Sequence, residues 1–296
     1  QILPLGPTGY GDSPYQAFST FAGNPYLIDL EELIENGWLT EEECENTDWG
    51  GSKSYVDYEK MYQGRFPLLR KAYHNSHIAE NAEFIAFCEE NDWWLSDYAL
   101  FMAIKDSQGG ASFLEWDAPL KLREPEAIRR CRHELSDEIC FWQFLQYLFT
   151  KQWQALKAYA NGKGISIIGD IPIYVALDSA DTWSHPELWG NPLYDWEYHR
   201  KTGYDWWILR IGYSYRLYDI VRVDHFRGFE AYFSIPYGDE TAVNGHWEKG
   251  PDFELFAAMK MKLGKKEMIA EDLGVITPPV RKMIKKCGYP GMKVLQ

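Results

Sequence analysis

Three short runs in the second half of this chain each end on a carboxylate and hand over to a turn. They are Ile165-Ser-Ile-Ile-Gly-Asp170, Ile220-Val-Arg-Val-Asp224 and Met268-Ile-Ala-Glu271. Helical patterns follow the second and the third, at Phe253–Lys262 and Pro278–Lys286, and Gly291-Met-Lys-Val-Leu295 begins a fourth run. Strands that alternate with helices predict an α/β fold with a parallel sheet and crossover connections. In a βα-barrel the chemistry lies at the C-terminal ends of the strands, where these acids fall.

Two acids delivered from two strand ends suit glycoside chemistry, in which one carboxylate attacks the anomeric carbon and the other protonates the leaving oxygen. The period of two along a strand puts Arg222 on the same face as Asp224. A guanidinium beside a carboxylate favours its ionised form, and an ionised, oriented carboxylate is a nucleophile. The plainer reading of Arg222 and Asp224, an ordinary ion pair, stays open on the pattern alone. Glu271 follows Asp224 by 47 residues, about one βα unit with an insertion. Asp272 beside it adds negative charge, which suits a carboxyl that must donate a proton. The alternative is that Glu271-Asp272 caps the following turn or helix. Asp170 runs directly into Ile171-Pro172, a sharp turn, and its alternative role is a loop-orienting hydrogen bond.

Bulk properties remove several other classes. The net charge of −14 argues against nucleic acid and against anionic membrane surfaces as partners. No run approaches the ~18 apolar residues of a membrane span. Five cysteines (Cys44, Cys88, Cys131, Cys140, Cys287) have irregular spacing and no CxxC, which fits reduced thiols in the cytoplasm. His74 and His77 lie three apart with no third ligand at a sensible spacing, so no metal site is expected. Gly109-Gly110 is too little for a phosphate loop. Lys260–Lys266 reads as a solvated helix face. The aromatic content is high, with 13 Trp, 20 Tyr and 15 Phe. Most of these belong to a core; some fit a carbohydrate cleft, where flat sugar faces stack on rings.

The first half reads differently. Residues 1–28 are so dense in glycine and proline that neither helix nor strand can run, and a loop this long is often functional. Residues 29–163 are dominated by helical patterns. Asp29 opens one helix and Gly37 closes it. Asp137–Asn161 repeats apolar residues at three and four, as a long half-buried helix does. Within this region Trp93-Trp94-Leu95, with Asp97 close by, reads as a barrel strand.

The segments GPTGYGDSPYQ, FAGNPYLIDL, GDIPIYVALDSADTW, LWGNPLYDW, VRVDHFRGF and AEDLG, in this order, resemble the 4-α-glucanotransferases, also called amylomaltases or disproportionating enzymes, of glycoside hydrolase family 77. The resemblance runs from Ile2 to Gln296. It implies a (β/α)8 TIM barrel over residues 1–296, lacking its first strand and its last strands, with helical insertions concentrated in 29–163. It also implies a retaining, cofactor-free transfer of α-1,4-glucan segments from a maltodextrin donor to the 4-hydroxyl of glucose or another maltodextrin. By that match Asp224 is the nucleophile, Glu271 the acid/base and Arg222 the nucleophile's partner. Asp170 binds a glucose hydroxyl, Ser13 and Tyr15 line a subsite, and Tyr10 belongs to a more distant glucan contact. Trp189 and Asn191 are cleft residues. His225 is placed either to bond sugar or to pack in the core.

Two departures stand out. The family's third catalytic acid lies in a downstream His-Asp motif that this sequence stops short of. Family members also carry a longer loop where His185-Pro-Glu-Leu-Trp189 is nearly continuous here, a difference that bears on acceptor handling and on transfer against hydrolysis. The rivals to a transferase are an amylase-like hydrolase using the same acids and a non-catalytic glucan-binding protein.

Overall fold

The computed structural model describes residues 1–9, 11–190, 193–236, 238–239 and 241–293. The chain forms two compact units, one of residues 5–155 and 178–184, the other of residues 1–4, 156–177 and 185–296.

The first unit is helical. Its elements are α1 (Leu30–Glu35), α2 (Glu41–Glu45), α3 (Tyr58–Ser76), α4 (Ala82–Ser107), α5 (Ala118–Lys121), α6 (Pro125–Glu134), α7 (Ser136–Gly162, whose last turns belong to the other unit) and α8 (Ala180–Ser184). Asp29 caps α1 by accepting from the Glu31 amide, and Gly37 takes φ of +73° just beyond its end, as expected. Helix α7 buries Phe141, Phe144, Leu145, Leu148 and Phe149, which confirms the half-buried periodicity.

Trp93-Trp94-Leu95 is not a strand. The triplet lies inside α4, with Trp94 and Leu95 buried and Trp93 41% exposed. A short apolar run looks alike in a buried strand and a buried helix, and here the 26-residue length of the element decides.

Residues 1–28, expected to form neither helix nor strand, hold among the described residues a bridge between Thr8 and Ala17 and a single 3-10 turn at Pro25–Leu27, where Pro25 sets the first position. Side chains hold this segment in place. Gln146, fully buried in α7, accepts from the Gly23 amide at 2.7 Å and donates to the Gly23 carbonyl at 2.9 Å. A Cβ at Gly23 would lie 2.0 Å from the Phe149 ring, so the backbone can approach α7 this closely only as glycine. Asp181 accepts from the Thr20 amide at 2.8 Å.

The second unit is α/β. Strands β1 (Ile168–Ile171), β4 (Ile220–Val223) and β7 (Met268–Ala270) form a parallel sheet in the order β1-β4-β7. Short strands β2 (Trp189–Gly190) and β3 (Leu193–Tyr194) pair with each other, and β5 (Ala231–Ser234) pairs with β6 (His246–Lys249). Helices α9 (Trp196–Lys201) and α10 (Asp205–Leu217) precede β4, α11 (Phe253–Leu263) precedes β7, and α12 (Pro278–Cys287) follows it. The three strands and their intervening helices thus match the sequence pattern. Gly291–Lys293 adopt no regular element, so the expected fourth strand is not formed there, and its remainder, 294–296, lies outside the described residues. Lys260, Lys262, Lys265 and Lys266 are exposed around the C-terminus of α11, where cations complement the helix dipole.

Among the described residues no helix is long and apolar enough to cross a membrane. All five cysteines are free thiols.

Candidate active site

Register builds the site. Asp170 stands opposite Arg222, and Ile171, Val223 and Ala270 share the next level across all three strands. The ladder continues one residue further, with Asp224 N donating to Ile171 O at 2.9 Å and Glu271 N to Val223 O at 3.1 Å. Asp224 and Glu271 therefore leave neighbouring strands at the same level, where backbones lie about 4.8 Å apart.

Arg222 organises one side. Its Nη1 donates to Asp170 Oδ1 at 2.6 Å and its Nη2 to Asp224 Oδ1 at 2.8 Å. The Arg222 side chain is 9% exposed, that of Asp170 1% and that of Asp224 34%. Burial works against the guanidinium charge, but the bonds to Asp170 and then to Asp224 outweigh it, and its pKa is raised. The third direction of the guanidinium is also used, with Nε donating to Met292 Sδ at 3.0 Å. The alternation of the strand predicted the Arg222–Asp224 contact; Asp170 makes a buried ion pair with Arg222 and so does more than orient a loop.

Glu271 is fixed differently. Oε2 accepts from the His225 amide at 3.0 Å and Oε1 from the Leu273 amide at 2.6 Å. The turn-capping alternative is thus realised by Glu271 itself, while Asp272 turns to the Met292 amide, 2.7 Å away. His225 adopts φ of +52° and is exposed, which removes it from the core. Its left-handed conformation lets the chain turn sharply so that its amide meets the neighbouring strand's acid.

Ser13 and Tyr15 belong to the other unit, where Ser13 Oγ accepts from the Tyr15 amide at 3.4 Å within a turn. Trp189 packs in an aromatic cluster, 4.6 Å from the Tyr194 ring and 5.2 Å from that of Trp206. Tyr10 and Asn191 lie outside the described residues. His77 ends α3 in a left-handed conformation, so it does not share a helical face with His74. Among the described residues no group of three or more His, Cys, Asp or Glu is placed to hold a metal. Met292 was missed in the sequence reading. It lies in the run after α12, and nothing in the local pattern marks it as a partner of Arg222.

A buried arginine shared by two strand-end carboxylates, with a third acid from the next strand end, is a carboxylate-based site on a parallel α/β sheet. Known proteins share its whole sequence context. A family model described as 4-alpha-glucanotransferase matches residues 1–188 and 187–296, and the chain belongs to that family. It is 46% identical over 323 aligned positions to the 4-alpha-glucanotransferase of Clostridium butyricum, with 100% of this chain and 66% of that protein covered. It is 46% identical to the one from Thermus thermophilus, with 100% and 64% covered. An amylomaltase from Streptococcus agalactiae, solved in complex with acarbose, superposes with a TM-score of 0.95 at 41% identity, over 99% of this chain and 65% of that one. The chain thus spans about two thirds of the length of these relatives. The two matched stretches meet at residues 187–188, inside the His185–Trp189 segment.

Proposed function

We propose that this chain carries the nucleophile and acid/base of a retaining 4-α-glucanotransferase, built on part of a (β/α)8 barrel that spans 1–296, with 29–163 as helical insertions. The observation that carries this reading is Arg222 held between Asp170 at 2.6 Å and Asp224 at 2.8 Å, one strand away from Glu271. Arg222 holds Asp224 Oδ1, leaving Oδ2 to attack.

In the first half-reaction Asp224 Oδ2 bonds to the anomeric carbon. The bond from that carbon to the departing glucan breaks, and Glu271 gives its proton to the leaving O4. In the second, Glu271 takes the proton of an acceptor 4-hydroxyl, whose oxygen displaces Asp224 from the anomeric carbon. Two displacements retain the configuration. Glu271 is suited to both proton steps because the His225 and Leu273 amides fix its carboxyl in position. Asp170 and His225, with Ser13, Tyr15, Tyr10, Trp189 and Asn191, are the proposed sugar-binding residues. No cofactor enters these steps. The donors and acceptors are α-1,4-glucans such as maltose and maltodextrins. The free thiols suit the cytoplasm.

The test is Asp224→Asn in the full-length protein with maltotriose as substrate. The variant loses disproportionation by a factor on the order of 10⁴ or more. Wild-type product ladders longer than the substrate mark transfer, whereas release of reducing ends without elongation identifies a hydrolase. Turnover by the Asn variant at the wild-type rate overturns the assignment.

A further inference from the structure

The side of Arg222 that faces neither carboxylate is closed by a thioether. Met292 Sδ accepts from Arg222 Nε at 3.0 Å, and the Met292 amide is held by Asp272 Oδ1 at 2.7 Å. The segment is laid against β7 by one further bond, from Ala270 N to Pro290 O at 2.9 Å. A Cβ at Gly291 would lie 2.3 Å from Asp272 Oδ2, so glycine is what lets Asp272 reach this backbone. The Asp that follows Glu271 in sequence therefore anchors the residue that touches the arginine of Asp224.

We propose that Met292 is a positioning residue for the transfer reaction, fixing the Arg222 guanidinium between Asp170 and Asp224 and being fixed in turn by Asp272. The inference rests on the reading of Asp224 as nucleophile. A guanidinium is planar, with its N–H groups in a fixed fork. Two of its nitrogens bind carboxylates that belong to different strands. The bond at Nε sets the remaining freedom, the rotation of the plane about its long stem.

The chemical nature of the third acceptor matters. A carboxylate there would place three anions around one cation and draw the guanidinium away from Asp224. A hydrocarbon would leave the Nε–H of a side chain only 9% exposed without a partner. A thioether is a neutral, weak, polarizable acceptor. It satisfies Nε–H and leaves the positive charge to Asp170 and Asp224. The expected consequence is geometric. When Arg222 turns, Asp224 Oδ1 turns with it, and displacement of a reacting group by about 1 Å costs roughly 10²-fold in rate.

Two variants of the full-length protein test this. Met292→Leu keeps volume and apolar character and removes the acceptor; Met292→Gln restores a neutral acceptor on a side chain of similar length. For maltotriose disproportionation, Met292→Leu lowers kcat by about ten-fold or more with KM little changed, while the unpartnered Nε–H lowers the melting temperature, and Met292→Gln recovers most of both losses. Were Met292 only a packing residue, Leu would be nearly neutral and Gln the harmful change. Wild-type kcat in Met292→Leu, or equal impairment in Leu and Gln, overturns the proposal. If either variant fails to fold, Asp272→Asn and Asp272→Ala decide. Asn keeps an oxygen for the Met292 amide and Ala does not, so kcat in Asn exceeds that in Ala, and equal kcat values reject the proposal. A wild-type protein without transferase activity refutes the glucanotransferase reading, which separates the two failures.

Discussion

Two arginines in the α/β unit are equally hidden, and their surroundings could hardly differ more. Arg222 is 7% exposed and Arg210 3%. Arg222, on β4, bonds two carboxylates and a thioether. Arg210, on α10, bonds only neutral oxygens among the described residues. Its Nη1 donates to Ile173 O at 2.9 Å and to the Tyr194 hydroxyl at 3.0 Å, and its Nη2 to Pro172 O. Its guanidinium carbon lies 4.8 Å from the Trp207 ring centre. Arg210 uses its fork to tie down the loop that leaves β1. Arg222 uses the same fork to share one positive charge between a buried acid and a half-exposed one. Burial alone therefore does not set the role of an arginine; the groups bonded to it do.

The sharpest test of this contrast removes each guanidinium in turn. Arg222→Met takes the cation away from the buried Asp170 carboxylate, which costs about 3–5 kcal/mol of stability. It also removes the cation beside Asp224, the proposed nucleophile, a loss of roughly 10²–10³ in kcat by analogy with other preorganised electrostatic groups. The double variant Arg222→Met with Asp170→Asn separates the two effects. It recovers most of the melting temperature, read by calorimetry, and none of the turnover. Recovery of turnover in the double variant would show that the cation serves folding alone. Arg210→Met produces the opposite pattern. Three oxygens lose a donor, and stability falls by about 2–4 kcal/mol. Turnover per folded molecule, measured below the melting range, stays within about two-fold of wild type because neither of the proposed catalytic carboxylates, Asp224 and Glu271, has lost its partner. A turnover loss in Arg210→Met as deep as in Arg222→Met would break the comparison.

The same contrast explains what could be read from the sequence. Arg222 and Asp224 were legible because strand alternation is local; two residues apart on a strand means one face. Asp170 and Glu271 were legible as strand-end acids, since each short run ends on one. The partners of Arg210 were not legible. They are two backbone carbonyls 37 and 38 residues away and the Tyr194 hydroxyl 16 residues away; a carbonyl has no sequence signature, and the tyrosine is one of many. Met292 was hidden for a related reason, because its contact depends on how the chain after α12 lies against β7. Trp93-Trp94-Leu95 was read as a strand because three apolar residues fit either period. The helical unit then showed that the longer run around them sets the element. The nearly continuous segment from His185 to Trp189 departs from the family motif, and the two stretches of the family match meet within it, at residues 187–188.

A third buried cation-forming group extends the comparison to pH. His199, on α9, is fully buried among Tyr194, Trp196 and Trp206. Burial pushes its pKa down to about 4, against smaller opposing contributions from the Leu188 carbonyl and Asp195. Unlike Arg222 it has no carboxylate bonded to it, so the neutral ring is the form that the fold accepts. The unfolded chain takes up a proton near pH 6.5 and the folded protein only near 4. The unfolded state therefore binds more protons between these values, and stability falls as pH drops from about 6.5 to about 4. The full contribution is present above that window. The depressed pKa corresponds to about 3 kcal/mol lost across it, as an upper figure. His199→Phe keeps an aromatic ring and removes the titration. Its melting temperature, followed from pH 7 to pH 4, falls less steeply than that of wild type, while its turnover at pH 7 per folded molecule is unchanged. Parallel melting curves for the two proteins would show that the ring takes its proton inside the fold as readily as in water, and that aromatic burial at this site imposes no penalty on the charge.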